Sequence, residues 1–217
     1  INVSWYMINS YLMIFYTDVV GLAAGAISLI MLIARIWDAI NDPMMGAIID
    51  RTKSKWGKFK PYIVIAPPFL AIFHILTFTV FPVEGVPKII LCLVFYILTG
   101  MAYTVVQVAV NGLVNRISNN SQTKMDIISI SQIGSTIIQT ILGAAVPAML
   151  IAFRGTLDGT TKARGYFIAT IIVSIISVPM FWICAWKTKE MATVEAAPLQ
   201  DAVPEKKPLG ESLKALV

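Results

Sequence analysis

The stretch ARIWDAINDP, residues 34–43, places three charges inside a run that is otherwise largely apolar between residues 19 and 49. A charge within a membrane span costs several kcal/mol, so it usually faces protein or water rather than lipid. At 3.6 residues per turn, Arg35, Asp38 and Asp42 fall within about 60° of one another, and the carboxylates are separated by about 6 Å of rise. One arginine between two aspartates leaves the cluster one positive charge short. We therefore expect a bound Na⁺ or H⁺ to supply it.

The composition around this stretch is that of a membrane protein. The chain is 57% hydrophobic and 13% charged, whereas a soluble domain carries about 25% charged residues. A spanning helix needs about 20 apolar residues. We predict an all-α membrane protein with six transmembrane helices, the first of them cut short. The runs without charge are Ile1–Thr17, Val19–Ala34 (which the charged stretch extends to about Met45), Pro61–Val83, Ile89–Asn115, Ile127–Phe153 and Gly165–Trp186.

The net charge of +5 is concentrated in one loop. Residues 46–60 hold a cluster of cations against Asp50 alone, and these are Arg51, Lys53, Lys55, Lys58 and Lys60. The positive-inside rule places this loop in the cytoplasm of a multi-pass plasma (inner) membrane protein. A basic face for nucleic acid would need a soluble scaffold, and none is visible, so we expect the lipid bilayer rather than nucleic acid as a partner.

The composition divides the chain into two parts. Residues 1–187 are expected to form the transmembrane bundle. From residue 188 the sequence becomes polar and proline-bearing, which predicts a flexible cytoplasmic linker over residues 188–217. The chain begins at Ile1 without a methionine, and we expect it to be a fragment of a longer protein.

Two later helices carry polar faces. The face of the fourth consists of Gly100, Thr104, Gln107 and Asn111, and that of the fifth of Ser129, Gln132, Thr136, Gln139 and Gly143. Small and hydroxyl side chains let membrane helices approach closely, so helix packing explains those positions. The amides of Gln107, Asn111 and Gln132 are costlier to bury. They favour a polar cavity suited to a neutral, hydroxyl-rich ligand such as a sugar.

Three isolated features have plainer interpretations. Pro43 leaves the carbonyl of Ala39 without its helical N–H donor, which fits an ion site or an ordinary kink near a helix end. His74 is expected to be a packed or hydrogen-bonded neutral histidine. Cys92 and Cys184 lie in separate spans and are expected to pack rather than form a disulfide.

The stretch from residue 35 to residue 61 resembles a known family. "RIWDAINDPMMG" followed by "DRTKSKWGKFKPYI" is similar to the glycoside–pentoside–hexuronide:cation symporters of the major facilitator superfamily, which include melibiose permease. The resemblance extends to "YTDVVGL" at residues 16–22 and "GMAYT" at residues 100–104. It implies that the chain is the amino-terminal half of a twelve-helix transporter.

The resemblance also implies roles for individual residues. The residues of the implied coupling-cation site are Asp38, Asn41, Asp42 and Thr104. If the cation is Na⁺, the two carboxylates are its charged ligands, with Arg35 moderating their charge. The loop motif of the superfamily retains Asp50, Arg51, Gly57 and Lys58. Its implied role is to hold the inward or outward state through ion pairs between loop and helix.

The sugar-binding positions depart from the family's galactoside carriers. Those carriers use an aspartate in helix one, an aspartate in helix four and an arginine in helix five. Ungapped extension places these on Asn2, Gln107 and Gln132, all uncharged here. Neither a galactoside nor a uronic acid is therefore implied. The candidate sugar-binding residues are Asn2, Gln107, Asn111 and Gln132.

The function that we predict is symport of a glycoside, pentoside or related carbohydrate with Na⁺ or H⁺ by alternating access. No cofactor besides the coupling ion is expected, and the partner is the carboxy-terminal six-helix half of the same transporter. Three alternatives stay open: an incomplete, inactive fragment; a channel or half-transporter that pairs with itself; and an intramembrane transferase using paired aspartates with Mg²⁺. The transferase is disfavoured because such enzymes usually carry a second Asp-rich motif. The chain is thus not expected to be an enzyme.

Overall fold

The computed structural model describes residues 2–52, 54–117, 121–152 and 159–188, and all the regular structure within them is α-helical. The helices are α1 Asn2–Asp18, α2 Ala24–Arg51, α3 Lys60–Thr77, α4 Val86–Ile117, α5 Ser121–Ala152 and α6 Gly159–Lys187. Five of them, α2 to α6, are long and apolar enough to cross a membrane. The first helix has 17 residues. The all-helical prediction is confirmed, with α1 the short helix.

Helix α3 lies between α4 and α6, and α4 packs in turn on α2. Hydroxyl contacts join these helices inside the bundle. The hydroxyls of Thr77 and Thr99 lie 2.8 Å apart between α3 and α4. His74 Nδ1 lies 3.3 Å from Ser174 Oγ between α3 and α6. The expectation that His74 is packed or hydrogen-bonded is therefore confirmed.

The apolar core forms two clusters. One surrounds α1, whose Leu12, Phe15 and Tyr16 are fully buried. The other lies toward the end of α2 and the start of α3, where Ile49 and Phe59 are buried. Helix α5 exposes most of its surface, and a row of its isoleucines is exposed as expected for contact with lipid. Both cysteines are free, and Cys92 is half-buried. The expectation that Cys184 packs is wrong, because this residue is exposed on α6.

The loop between α2 and α3 is shorter than predicted. Helix α2 does not end near Met45 but continues through Pro43 to Arg51, so the loop covers residues 52–59 rather than 46–60. Proline removes one helical hydrogen bond. The helix still continues because Ile49 packs inside the bundle with 1% exposure, although its neighbour Ile48 is 45% exposed. Helices α4 and α5 likewise extend beyond their predicted spans.

Phe59 fixes the loop against α4. Its ring lies on Gly112, where a Cβ atom would overlap the ring carbons. Only glycine permits so close an approach. The predicted linker falls outside the described residues from 189 onward.

Candidate cation-binding site

Helix α2 carries the acidic residues of the site on one surface. Arg35 Nη1 lies 3.9 Å from Asp38 Oδ2, and the Arg35 side chain is 61% exposed whereas that of Asp38 is 22% exposed. Among the described residues Asp42 makes no ion pair. The positive charge of Arg35 thus lies beside only one of the two carboxylates, as the sequence predicted.

The second carboxylate is held by α4. The hydroxyl of Thr104 donates a hydrogen bond to Asp42 Oδ1 at 2.9 Å, although 62 residues separate the two in sequence. Thr104 is 6% exposed. A hydrogen bond to an ionised acceptor is about twice as strong as a neutral one. The implied association of Thr104 with the acidic cluster is therefore present in the fold.

The carboxylate of Asp38 also contacts α4, one helical turn before Thr104. A Cβ atom placed on Gly100 would lie 3.2 Å from Asp38 Oδ1. Gly100 and Thr104 are therefore one turn apart on α4 and face Asp38 and Asp42, one turn apart on α2. We call these two facing pairs the α2–α4 contact.

Gly100 is the site residue whose role the sequence did not reveal. It belonged to the predicted polar face of α4, and no function was assigned to it. The available signal was its i, i+4 spacing from Thr104, which matches the spacing of Asp38 and Asp42. Lack of a side chain at Gly100 is what allows the carboxylate to lie against the backbone of α4.

Asn41 directly precedes Asp42 in sequence, but its side chain is completely buried whereas Asp42 is exposed. Neither Oδ1 nor Nδ2 of Asn41 has a hydrogen-bond partner among the described residues, and the same holds for the buried Nε1 of Trp37. An unsatisfied buried polar group costs about 1–3 kcal/mol. The amide oxygen of Asn41 is therefore a strong candidate acceptor or ligand. Of the predicted cation-site residues, the structure joins Thr104 to Asp42, and the participation of Asn41 stays a prediction.

The candidate sugar-binding residues occupy open surfaces. Gln107 and Asn111 are exposed on α4, and Gln132 is exposed on α5. Within the described residues no hydrogen bond joins these three side chains. Asn2 begins α1, but its side chain lies outside what the structure describes. Their part in sugar binding stays a prediction.

The polar face of α5 divides between two environments. Gly143 packs on α1, where a Cβ atom would lie 2.9 Å from the hydroxyl of Tyr6. Ser129 and Thr136 are exposed. Close helix packing thus explains the glycine and not the two hydroxyl residues.

The loop after α2 contains the expected ion pair. Lys58 Nζ donates to Asp50 Oδ1 at 2.6 Å. Gly57 has φ of +102°, a conformation that other residues rarely adopt. Arg51 is exposed at the end of α2. The pair joins the last turn of a helix to the loop that follows it.

The described residues contain no group of three or more His, Cys, Asp and Glu side chains that could hold a metal ion. The acidic residues of the candidate site are thus Asp38 and Asp42 alone.

Comparison with known proteins identifies the family of the chain as a whole. The model of the family described as "MFS/sugar transport protein" matches residues 1–217. The isoprimeverose transporter of Lactiplantibacillus pentosus is 35% identical over 99% of this chain and 43% of its own length. The putative glycoside/cation symporter YagG of Escherichia coli is 31% identical over 89% of this chain and 41% of its own length.

A further relative is the inner membrane symporter YicJ of Escherichia coli, 30% identical over 90% of this chain and 41% of its own length. The chain therefore spans about two fifths of the length of these curated relatives. The names of these relatives describe transport rather than catalysis. The resemblance that residues 16–61 and 100–104 indicated is confirmed.

Proposed function

The chain belongs to the MFS/sugar transport protein family, and from this premise we propose that it forms the amino-terminal half of a cation-coupled sugar symporter. The α2–α4 contact is the observation that carries the proposal. It brings Asp38 and Asp42 against the backbone and hydroxyl of another helix, with Arg35 beside only the first of them. A carboxylate pair with one cation beside it is a place where a monovalent cation completes the charge balance.

The coupling mechanism follows from that balance. Moving an uncompensated carboxylate into a low-dielectric, closed state is costly. Binding of the cation removes this cost and permits the two halves of the transporter to rock around the site. Cation and sugar then cross together, because the change between the inward-open and outward-open states requires a cation bound at the two carboxylates.

The nature of the cation is proposed from the ligands. Na⁺ favours several oxygen ligands, and the carboxylates, the Asn41 amide and the Thr104 hydroxyl supply them. A proton needs a single carboxylate. The oxygen-rich set favours Na⁺, with H⁺ as the alternative.

The substrate is proposed to be a neutral sugar. Gln107, Asn111 and Gln132 present amides that donate and accept hydrogen bonds, as sugar hydroxyls do. Their exposure suits a face that borders the cavity between the two halves. The naming of relatives as isoprimeverose transporter and glycoside/cation symporter supports the same class of substrate.

The test is uptake by the full-length protein across a panel of neutral glycosides and pentosides. Uptake is measured with an imposed Na⁺ gradient, with an imposed proton gradient and with neither. We expect accumulation above equilibrium of at least one sugar in a cation gradient, and its loss when an ionophore collapses that gradient. Equilibration of the sugar without accumulation under both gradients contradicts coupling. Absence of uptake of every sugar contradicts the sugar assignment.

A second experiment addresses the proposal that residues 1–217 act as one half. The chain is expressed alone and together with the remaining part of the full-length transporter as a separate polypeptide. We expect transport from the pair and none from the chain alone. Transport by the chain alone contradicts the assignment as a half and favours self-pairing.

A further inference from the structure

A cavity lies outside the α2–α4 contact, between the end of α2, the start of α3 and the middle of α4. Its volume is about 510 Å³. Leu98, Met101 and Val105 line it from α4, on a different face from Gly100 and Thr104. It is therefore separate from the proposed cation site.

The walls of this cavity are apolar and open to the surroundings of the bundle. Ile65, Phe69 and Phe73 follow one another at four-residue spacing along α3, and Ile65 and Phe69 are 57% and 52% exposed. From Tyr62 to Phe73 the groove extends about 16 Å along the helix. One leaflet of a bilayer's hydrocarbon core is about 15 Å thick. A groove of this length on a membrane-facing surface suits an acyl chain.

One end of the groove is polar. Thr52, Ser54 and Tyr62 line it, and the hydroxyls of Thr52 and Tyr62 lie 2.6 Å apart. Here α2 finishes and α3 begins. Trp56, 66% exposed in the same loop, is a residue type enriched at membrane–water interfaces. These features place the polar end at headgroup level.

The charge at this end is positive. Arg51 and Lys55 are exposed and Lys60 is half-buried. The nearby acid, Asp50, is bound by Lys58. Each of these three cations is a sequence neighbour of a residue that lines the groove, and within the described part of the chain none of them forms an ion pair. Basic pockets between transmembrane helices are recognised sites for anionic lipid headgroups.

We propose that this groove binds an anionic glycerophospholipid. One acyl chain lies against Ile65, Phe69 and Phe73, and the phosphate lies among Lys55, Lys60 and the hydroxyls of the loop. The acyl chain of a zwitterionic lipid would cover the apolar walls, but its headgroup has no net charge to pair with the lysines. A free phosphate would pair with the lysines but would leave the apolar walls uncovered. The combination of both features selects the anionic lipid.

The experiment uses the full-length transporter in nanodiscs of phosphatidylcholine mixed with phosphatidylglycerol, followed by native mass spectrometry of the lipids retained after mild detergent extraction. We expect preferential retention of phosphatidylglycerol. Lys55→Gln combined with Lys60→Gln is expected to lower that retention roughly tenfold. Lys187→Gln removes an exposed cation at the end of α6 and is expected to leave retention unchanged.

A second pair of variants tests the apolar walls. Ile65→Trp places an indole over the groove, and Ile72→Trp adds the same group at a site on α3 with 52% exposure that does not line it. We expect loss of phosphatidylglycerol only from the first. Equal retention of the two lipids by the wild type, or undiminished phosphatidylglycerol in the Lys55/Lys60 variant, overturns the proposal. Displacement of the lipid by soluble glycerol phosphate alone would also overturn it, since the site would then recognise phosphate rather than a lipid.

Discussion

The two carboxylates of α2 differ in the residues that contact them. Asp42 accepts a hydrogen bond from Thr104, whereas Asp38 lies against Gly100 and beside Arg35. The sequence identified the charged residues because charges are rare in membrane spans. It did not identify Gly100, because a glycine in a polar stripe is equally well explained by ordinary helix packing.

Replacing Thr104 tests its hydrogen bond to Asp42. Thr104→Val keeps the shape and removes the hydroxyl, while Thr104→Ser keeps the hydroxyl. A hydrogen bond to a charged group contributes about 1.5–3 kcal/mol. We expect the valine variant to need roughly tenfold more coupling cation for half-maximal sugar uptake and the serine variant to behave nearly as wild type. Equal cation requirements in both variants would show that the hydroxyl does not contribute.

Enlarging Gly100 tests the close approach at Asp38. A methyl group 3.2 Å from Oδ1 requires a shift of a few tenths of an ångström, and a larger side chain requires more. Overpacking costs about 1–3 kcal/mol. We expect Gly100→Ala to raise the cation requirement several-fold and Gly100→Leu to abolish coupled uptake. Gly25→Ala, at a position on α2 with nothing within 4 Å, is the control. Normal cation dependence in Gly100→Leu would refute this packing role.

At the scale of elements, α2 and the loop after it show what local sequence signals miss. Pro43 suggested a helix end near Met45, yet tertiary packing of Ile49 extends the helix to Arg51. The loop motif was recognisable from its residues, and its ion pair and the positive φ of Gly57 are present. The contact of Phe59 with Gly112 was not predictable, because it joins positions 53 residues apart in separate elements.

A prediction at this scale concerns Gly112 of α4. A Cβ atom there overlaps the ring of Phe59, which is 7% exposed and has little room to move. We expect Gly112→Ala to destabilise the full-length protein by about 1–3 kcal/mol, observed as a lower thermal unfolding temperature in detergent. Gly134→Ala, with nothing within 4 Å, is expected to leave that temperature unchanged or raise it. Equal unfolding temperatures for the two variants would contradict the contact.

Across the whole molecule, composition predicted the fold class and the number of helices, because the thickness of the bilayer imposes helix length. The mutual placement of the helices required the structure. Lipid is as apolar as leucine, so the hydrophobic effect does not choose which faces meet. The polar faces of α4 and α5 looked alike in sequence, yet part of the α4 face meets the acidic residues of α2 while most of the α5 face stays exposed.

The central claim is that Asp38 and Asp42 couple sugar movement to a cation. The most direct test compares cation-driven sugar accumulation with sugar exchange at equilibrium in full-length Asp38→Cys and Asp42→Cys proteins. Asp18→Cys, at the exposed end of α1, serves as the control. The account predicts that both α2 variants lose accumulation and keep exchange, while the control keeps both. Accumulation at the wild-type level in both α2 variants would contradict it.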